Sequence, residues 1–185
     1  MRKLVKEHTF KVCIVGDGGV GKTTIVHRYV KDVFLKDTKI TIGTNLFIKR
    51  VEIPEKDMKV TLQIWDLGGE QKFDMIRPNF YSGAGGVIYT FDLTRRFSLM
   101  NLTKWKDEIE SSIGSVPSIL IGNKLDLVTG DKNRPISKTE GREIKEELNS
   151  AYYLETSAKT NDNIDNSFLK IAKLIHNSYE GADQN

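Results

Sequence analysis

The sequence predicts an α/β fold: a three-layer sandwich with a mostly parallel six-stranded sheet, one antiparallel strand, and helices on both faces. Three observations carry this expectation. Short apolar runs alternate with amphipathic segments along the chain, the pattern of a parallel sheet with helical crossovers. The second and third runs are joined only by Pro54-Glu55-Lys56-Asp57-Met58, too few residues for a parallel crossover, so they form a hairpin. A glycine-rich stretch from Gly16 to Gly21 joins the first apolar run directly to the first amphipathic segment.

In chain order, the apolar runs Phe10–Val15, Leu46–Ile53, Lys59–Asp66, Gly86–Asp92, Ser118–Gly122 and Ala151–Glu155 predict strands. The amphipathic segments Lys22–Val30, Phe73–Tyr81, Leu99–Ile113, Lys138–Leu148 and Ile164–Asn177 predict helices. The loops after the parallel strands then gather at their carboxyl ends, where open α/β sheets bind ligands. Without repeats or low-complexity blocks, the 185 residues read as one domain over 10–178. An extension, 1–9, precedes it, and a short polar tail, 179–185, follows.

A net charge of +3, from 28 Lys+Arg against 25 Asp+Glu, is too balanced to indicate a nucleic-acid binder. The basic opening Arg2, Lys3 and Lys6 reads as a solvated terminus. No apolar stretch approaches the ~20 residues of a membrane-spanning helix. The start lacks the apolar core of a signal peptide and the glycine that myristoylation needs. The final Gly-Ala-Asp-Gln-Asn has no cysteine to prenylate, so no intrinsic membrane anchor is expected. The expectation is a cytoplasmic monomer that reaches membranes only through partners. Cys13 lies in an apolar run and reads as a buried small hydrophobe. Trp105 reads as helix-to-sheet packing, and His27 and His176 as surface residues without chemistry.

Four motifs fall at one edge of the predicted sheet. Gly16-Asp17-Gly18-Gly19-Val20-Gly21-Lys22-Thr23 fits G-x-x-x-x-G-K-[ST] between a strand and a helix, the signature of a phosphate-binding P-loop. Backbone N–H groups from Gly18, Gly19, Val20 and Gly21 to Thr24, with the helix N-terminus, would wrap a polyphosphate. Lys22 would reach the β- and γ-phosphates and the Thr23 hydroxyl would bind Mg²⁺. Asp66-Leu67-Gly68-Gly69 ends the third strand; beside a P-loop, Asp66 becomes a Mg²⁺-side carboxylate and Gly69 can offer its N–H to a γ-phosphate. Asn123-Lys124-Leu125-Asp126 follows the fifth strand. The Asp126 carboxylate can accept hydrogen bonds from guanine N1–H and its amine, donors that adenine lacks. In Glu155-Thr156-Ser157-Ala158-Lys159, small residues let the Ala158 N–H approach the base oxygen while Lys159 covers a ring face. A plain turn or loop is the competing reading of each short motif; their order after the P-loop favours a guanine-nucleotide site.

These motifs resemble the Ras superfamily of small GTPases over nearly the whole chain, and the Rab branch most. The likeness lies in Thr41-Ile42-Gly43, in Trp65 before Asp66, and in the run KFDMIRPNFYSGAGGVIYTFD. The resemblance implies a P-loop NTPase fold and a switch that binds GTP or GDP with Mg²⁺ and slowly hydrolyses GTP. It places Thr41 in the Mg²⁺ shell and Phe34 against guanine. It also puts Leu46, Trp65 and Phe80 in an effector patch, where Leu46 replaces the usual Phe and core packing is the plain alternative. Effectors, an exchange factor and a GTPase-activating protein are implied partners, and no arginine stands out as an internal finger. Such kinship also implies signalling or vesicle trafficking.

The family's usual Gln after Gly69 is here Glu70, and Gln71 comes one residue later. A carboxylate accepts a hydrogen bond from water but cannot donate one to phosphate, and neighbouring anions repel by about 1–4 kcal/mol at 4 Å. The candidate catalytic set is therefore Lys22, Thr41 and Gly69 with Glu70 or Gln71. Three alternatives follow: Glu70 positions the water, the loop shifts to bring in Gln71, or a partner completes the site. The register places Glu70 there. A pseudo-GTPase that binds nucleotide with negligible turnover is the competing function, while Asn123 and Asp126 disfavour an ATP-dependent kinase.

Overall fold

The computed structural model describes residues 8–36, 39–128, 130 and 134–182. Its strands are β1 (His8–Val15), β2 (Thr44–Ile53), β3 (Met58–Leu67), β4 (Gly86–Asp92), β5 (Ser118–Asn123) and β6 (Tyr152–Glu155). Its helices are α1 (Lys22–Lys31), α2 (Pro78–Tyr81), α3 (Arg96–Met100), α4 (Leu102–Ile113), α5 (Lys138–Glu147) and α6 (Ile164–Ala182). The sheet order is β2-β3-β1-β4-β5-β6. β2 and β3 are antiparallel, from Thr44 opposite Leu67 to Ile53 opposite Met58, and every other pairing is parallel. Both the hairpin and the parallel centre match the sequence expectation.

β1 shows why the core has two halves. Its alternate residues Phe10, Val12 and Ile14 join Ile25, Val26, Phe168, Ile171 and Ile175 under α1 and α6. Cys13 and Val15 point the other way, to Tyr89, Leu102, Trp105 and Ile109 under α4. A strand covered on both faces must be apolar at nearly every position, which explains the continuous runs in β1, β4 and β5.

The helices depart from expectation in three places. Instead of one helix over Phe73–Tyr81, a 3-10 turn at Gln71–Phe73 leads to the single-turn α2. Pro78 has no N–H to bond back to Asp74, so the helix can only restart there. The segment expected as Leu99–Ile113 begins earlier and divides at Asn101, whose side-chain amide donates to Asp17 Oδ2 at 2.8 Å. α6 continues past Asn177 to Ala182, and the His176 and Tyr179 rings pack at a tilt beside Phe10. His176 is thus buried, correcting its expected surface position.

Arg2, Lys3 and Lys6 lie outside the described residues, as do 1–7 of the expected extension and 183–185 of the tail. Among the described residues no helix is long and apolar enough to cross a membrane.

Candidate functional site

The turn between β1 and α1 is the P-loop of the sequence motif. Gly21 ends it with φ 97°, and a Cβ there would stand 2.3 Å from Nδ2 of Asn123, so both backbone and space require glycine. No side chain caps the first turn of α1, so its N–H groups face the loop. Lys22 is buried and donates to the carbonyls of Gly16 at 2.5 Å and Asp17 at 3.0 Å. Burial lowers its pKa to about 8, opposed by Asp66, Asp17 and Glu70. Asp17 is itself held: Trp105 Nε1 donates to Oδ1 at 2.9 Å and Asn101 to Oδ2. Trp105 therefore packs between helix and sheet as expected and also fixes the loop.

Three oxygens meet beside Lys22. The Thr23 hydroxyl donates to Asp66 Oδ2 at 2.7 Å and lies 2.9 Å from the Thr41 hydroxyl. Asp66 is fully buried, and its Oδ1 has no hydrogen-bond partner. Burial raises its pKa, while Thr23 and Lys22 pull it down. Hydroxyl and carboxylate oxygens around a buried, under-partnered acid fit a hard divalent cation. Among the described residues no group of three or more His, Cys, Asp or Glu could hold a metal.

A cavity of roughly 420 Å³ brings together Phe34, Asn123, Lys124, Asp126, Ala158 and Lys159. Asn123 is a strut: its amide donates to Val20 O at 3.0 Å, and its Oδ1 accepts from Thr156 Oγ1 at 3.2 Å and Ala158 N at 3.4 Å. Asp126 Oδ1 accepts from Ser157 Oγ at 2.6 Å, and Lys159 Nζ lies 3.9 Å from Oδ2. Lys124 sits in the left-handed region at φ 69° and reaches Asp92 Oδ2 at 2.8 Å.

A second cavity of roughly 100 Å³ shares Gly19, Gly21 and Thr24 with the first. It is lined by Lys22, Thr23 and Thr41, and also by Gly69, Glu70 and Lys39. A Cβ built on Gly18 would lie 2.2 Å from Glu70 Oε1, so the carboxylate rests against the Gly18 α-carbon. Gln71 lies apart, in a depression with Asp17, Asp74, Arg77 and Trp105. Arg77 fixes this segment. Its Nη1 donates to the carbonyls of Glu70 at 3.1 Å and Gly68 at 3.3 Å, and its Nε and Nη2 each donate to Glu108 at 2.9 Å. Leu46 faces Trp65 across the β2–β3 register, and the Trp65 and Phe80 rings are 6.2 Å apart, so the three share one face.

Lys39, Arg77, Asp92 and Arg95 were not singled out by sequence. Asp92 ends β4 and Arg95 follows it, and the rule that ligands gather at the carboxyl ends of parallel strands could have flagged them.

Comparison with known proteins agrees with this geometry. Residues 11–177 match the Ras family. The Ras-related protein Rab-30 of Homo sapiens is 40% identical over 164 residues, 88% of this chain and 78% of its own. The Ras-related protein RABA6b of Arabidopsis thaliana is 35% identical over 171 residues, 92% of this chain and 72% of its own. The Ypt/Rab-type GTPase ypt7 of Schizosaccharomyces pombe is 36% identical over 183 residues, 96% and 87% of the two. With six strands in this order, the phosphate and base loops at one sheet edge, and these likenesses, the chain belongs to the Ras family as a Rab-like small GTPase.

Proposed function

We propose that the protein is a guanine-nucleotide switch that binds GTP or GDP with Mg²⁺ and hydrolyses GTP through Glu70. One observation carries this reading: the base cavity and the smaller cavity are contiguous at Gly19, Gly21 and Thr24. Asp126 reads the base, the P-loop amides and Lys22 hold the phosphates, and Thr23, Thr41 and Asp66 hold the cation. Held there, Mg²⁺ would supply charge neutralisation for the phosphates. Thr41 and Gly69 lie on the two loops that contact a γ-phosphate, so its loss releases both and changes what the Leu46–Trp65–Phe80 face presents. Effectors, an exchange factor and an activating protein would read or drive that change. The single cysteine, free and buried, fits a reducing cytoplasm.

Glu70 is favoured over Gln71 because its carboxylate lines the phosphate cavity while Gln71 lines another. Single-turnover hydrolysis by Glu70→Ala and Gln71→Ala tests this. The expected result is a large loss in the first and a near-normal rate in the second; the reverse pattern overturns it. A second reading, binding without turnover, is favoured by the anionic character of Glu70. Phosphate release at saturating Mg·GTP, no faster than from a Lys22→Ala control, would establish that second reading.

A further inference from the structure

We propose that Arg95 supplies, from within the chain, the guanidinium that stabilises the charge developing on GTP as it is hydrolysed. The inference rests on the site being a GTP-hydrolysing one, and it departs from the sequence expectation that no internal arginine serves.

Phosphoryl transfer to water depends on positioning and charge stabilisation more than on covalent chemistry. This site carries an added burden: Glu70 brings a carboxylate against Gly18, at the rim of the phosphate cavity. A nearby cation would offset that charge. Several arginines are committed elsewhere. Arg28 holds Ala158 O and Asp32, buried Arg77 forks onto Glu108, and Arg96 and Arg134 pair with Glu140 and Glu155.

Arg95 is placed differently. Its Nη2 donates to Gly18 O at 2.8 Å and its Nε to Asp92 Oδ2 at 3.2 Å. The guanidinium and the Glu70 carboxylate therefore flank the same P-loop residue. A Cβ built on Gly19 would be 3.8 Å from Nη2, at ordinary contact distance, so the guanidinium lies beside Gly19 as well as Gly18. The base of the side chain is firm, because Asp92 is buried and also held by Lys124 and Thr94. Its tip is free to turn: the Arg95 side chain is 47% exposed, and Nη2 rests on a single carbonyl. A small rotation about the outer torsions exchanges the Gly18 carbonyl for a phosphate oxygen, a better partner for a guanidinium.

In the step itself, a bond forms between the water oxygen and the γ-phosphorus. The bond from that phosphorus to the β–γ bridging oxygen breaks, and its electron pair stays on the β-phosphate of GDP. The water proton passes by way of Glu70 to the released phosphate. Arg95 exchanges no proton; it donates hydrogen bonds to oxygens that gain charge.

GDP with Mg²⁺ and aluminium fluoride mimics the transferring phosphoryl group. Its capture can be followed by fluorine NMR on the full chain, with no partner protein added. The wild type should capture the fluoride complex; Arg95→Ala and Arg95→Lys should lose it. Single-turnover hydrolysis should fall by about 30-fold, the gap between switch enzymes with and without an internal arginine. GDP affinity should stay within about twofold of wild type in both variants. Arg96→Ala, whose side chain pairs with Glu140, should behave as wild type. Fluoride capture retained in Arg95→Ala, or failure of the wild type to capture it while binding GDP, overturns the proposal. So does faster GDP release with an unchanged hydrolytic step, which makes Arg95 only a clamp on the loop. Failure of the wild type to bind GDP would sink the nucleotide reading itself, a distinct result.

Discussion

Gly69→Ala isolates steric contact between the two loops that form the phosphate cavity. Gly69 is not in the left-handed region, so its backbone tolerates alanine and the cost is one of space. A Cβ there would lie 2.4 Å from Gly16 O, 2.5 Å from the Asp17 carbonyl carbon and 2.6 Å from Gly18 N. These are backbone atoms, unable to rotate away. Restoring ordinary contact, which begins at 3.4 Å, requires a separation of about 1 Å. The P-loop is braced by Trp105, Asn101 and Lys22. The segment carrying Gly69 and Glu70 leads into an exposed 3-10 turn, and it is the part that yields. Overpacking of this kind costs about 1–3 kcal/mol. At roughly 2–4 °C per kcal/mol for a chain of this size, Tm should fall by about 2–12 °C. A 1 Å displacement of a positioning group is worth about 100-fold in rate. Thermal unfolding and single-turnover hydrolysis, measured beside GDP affinity, test this steric role of Gly69. GDP should still bind. An unchanged Tm together with an unchanged hydrolysis rate would refute it.

Other perturbations read other parts of the site. Asp126→Asn exchanges a carboxylate acceptor for an amide. Competition titration should show affinity for guanine falling relative to xanthine by about 10- to 100-fold, the worth of a hydrogen bond to a charged group. Arg77→Ala removes the cation from Glu108 and two switch-loop carbonyls. Glu108 keeps some exposure to water, so breaking the pair costs less than the about 3–5 kcal/mol of a fully buried one; the urea midpoint should still drop while hydrolysis falls further than GDP binding. Burial pushes the Cys13 thiol up to about 12 from 9.0. Native protein at pH 8 should resist thiol reagents and react fully once denatured. The sign of the linkage follows: above about pH 9 the unfolded thiol ionises and the folded one does not, so this group's contribution is lost as pH rises from 9 toward 12. Stability that rises across that window would contradict the assignment.

Much of the fold was legible because its signals are local. The five-residue hairpin link dictated the antiparallel pair, and the apolar runs of β1, β4 and β5 reported burial on both faces. The P-loop and Asn123-Lys124-Leu125-Asp126 stood out because they set particular residue types at fixed spacing after strands, and the structure brings both to adjoining cavities. The helix over Phe73–Tyr81 was overestimated because its periodicity continues through Pro78, which the backbone cannot. His176 was misread because a half-apolar ring on an amphipathic helix does not reveal that His8 and Phe10 will pack beside it. Arg77 and Arg95 were invisible for a different reason. Arg95 takes its meaning from the Gly18 carbonyl, which the fold brings from distant sequence, and Arg77 from Glu108 and the carbonyls of Gly68 and Glu70; a carbonyl has no letter.

The edge position of β2 has a mechanical consequence. The loop that carries Thr41 feeds directly into the outermost strand, which is hydrogen-bonded on one side only, to β3. Rearranging that loop can strain at most one seam of the sheet. The parallel ladder from β3 through β6, with the helices clamped to it, need not register the change. A large displacement at the recognition surface can thus be driven by the loss of a single phosphate, because nothing load-carrying in the interior has to move with it.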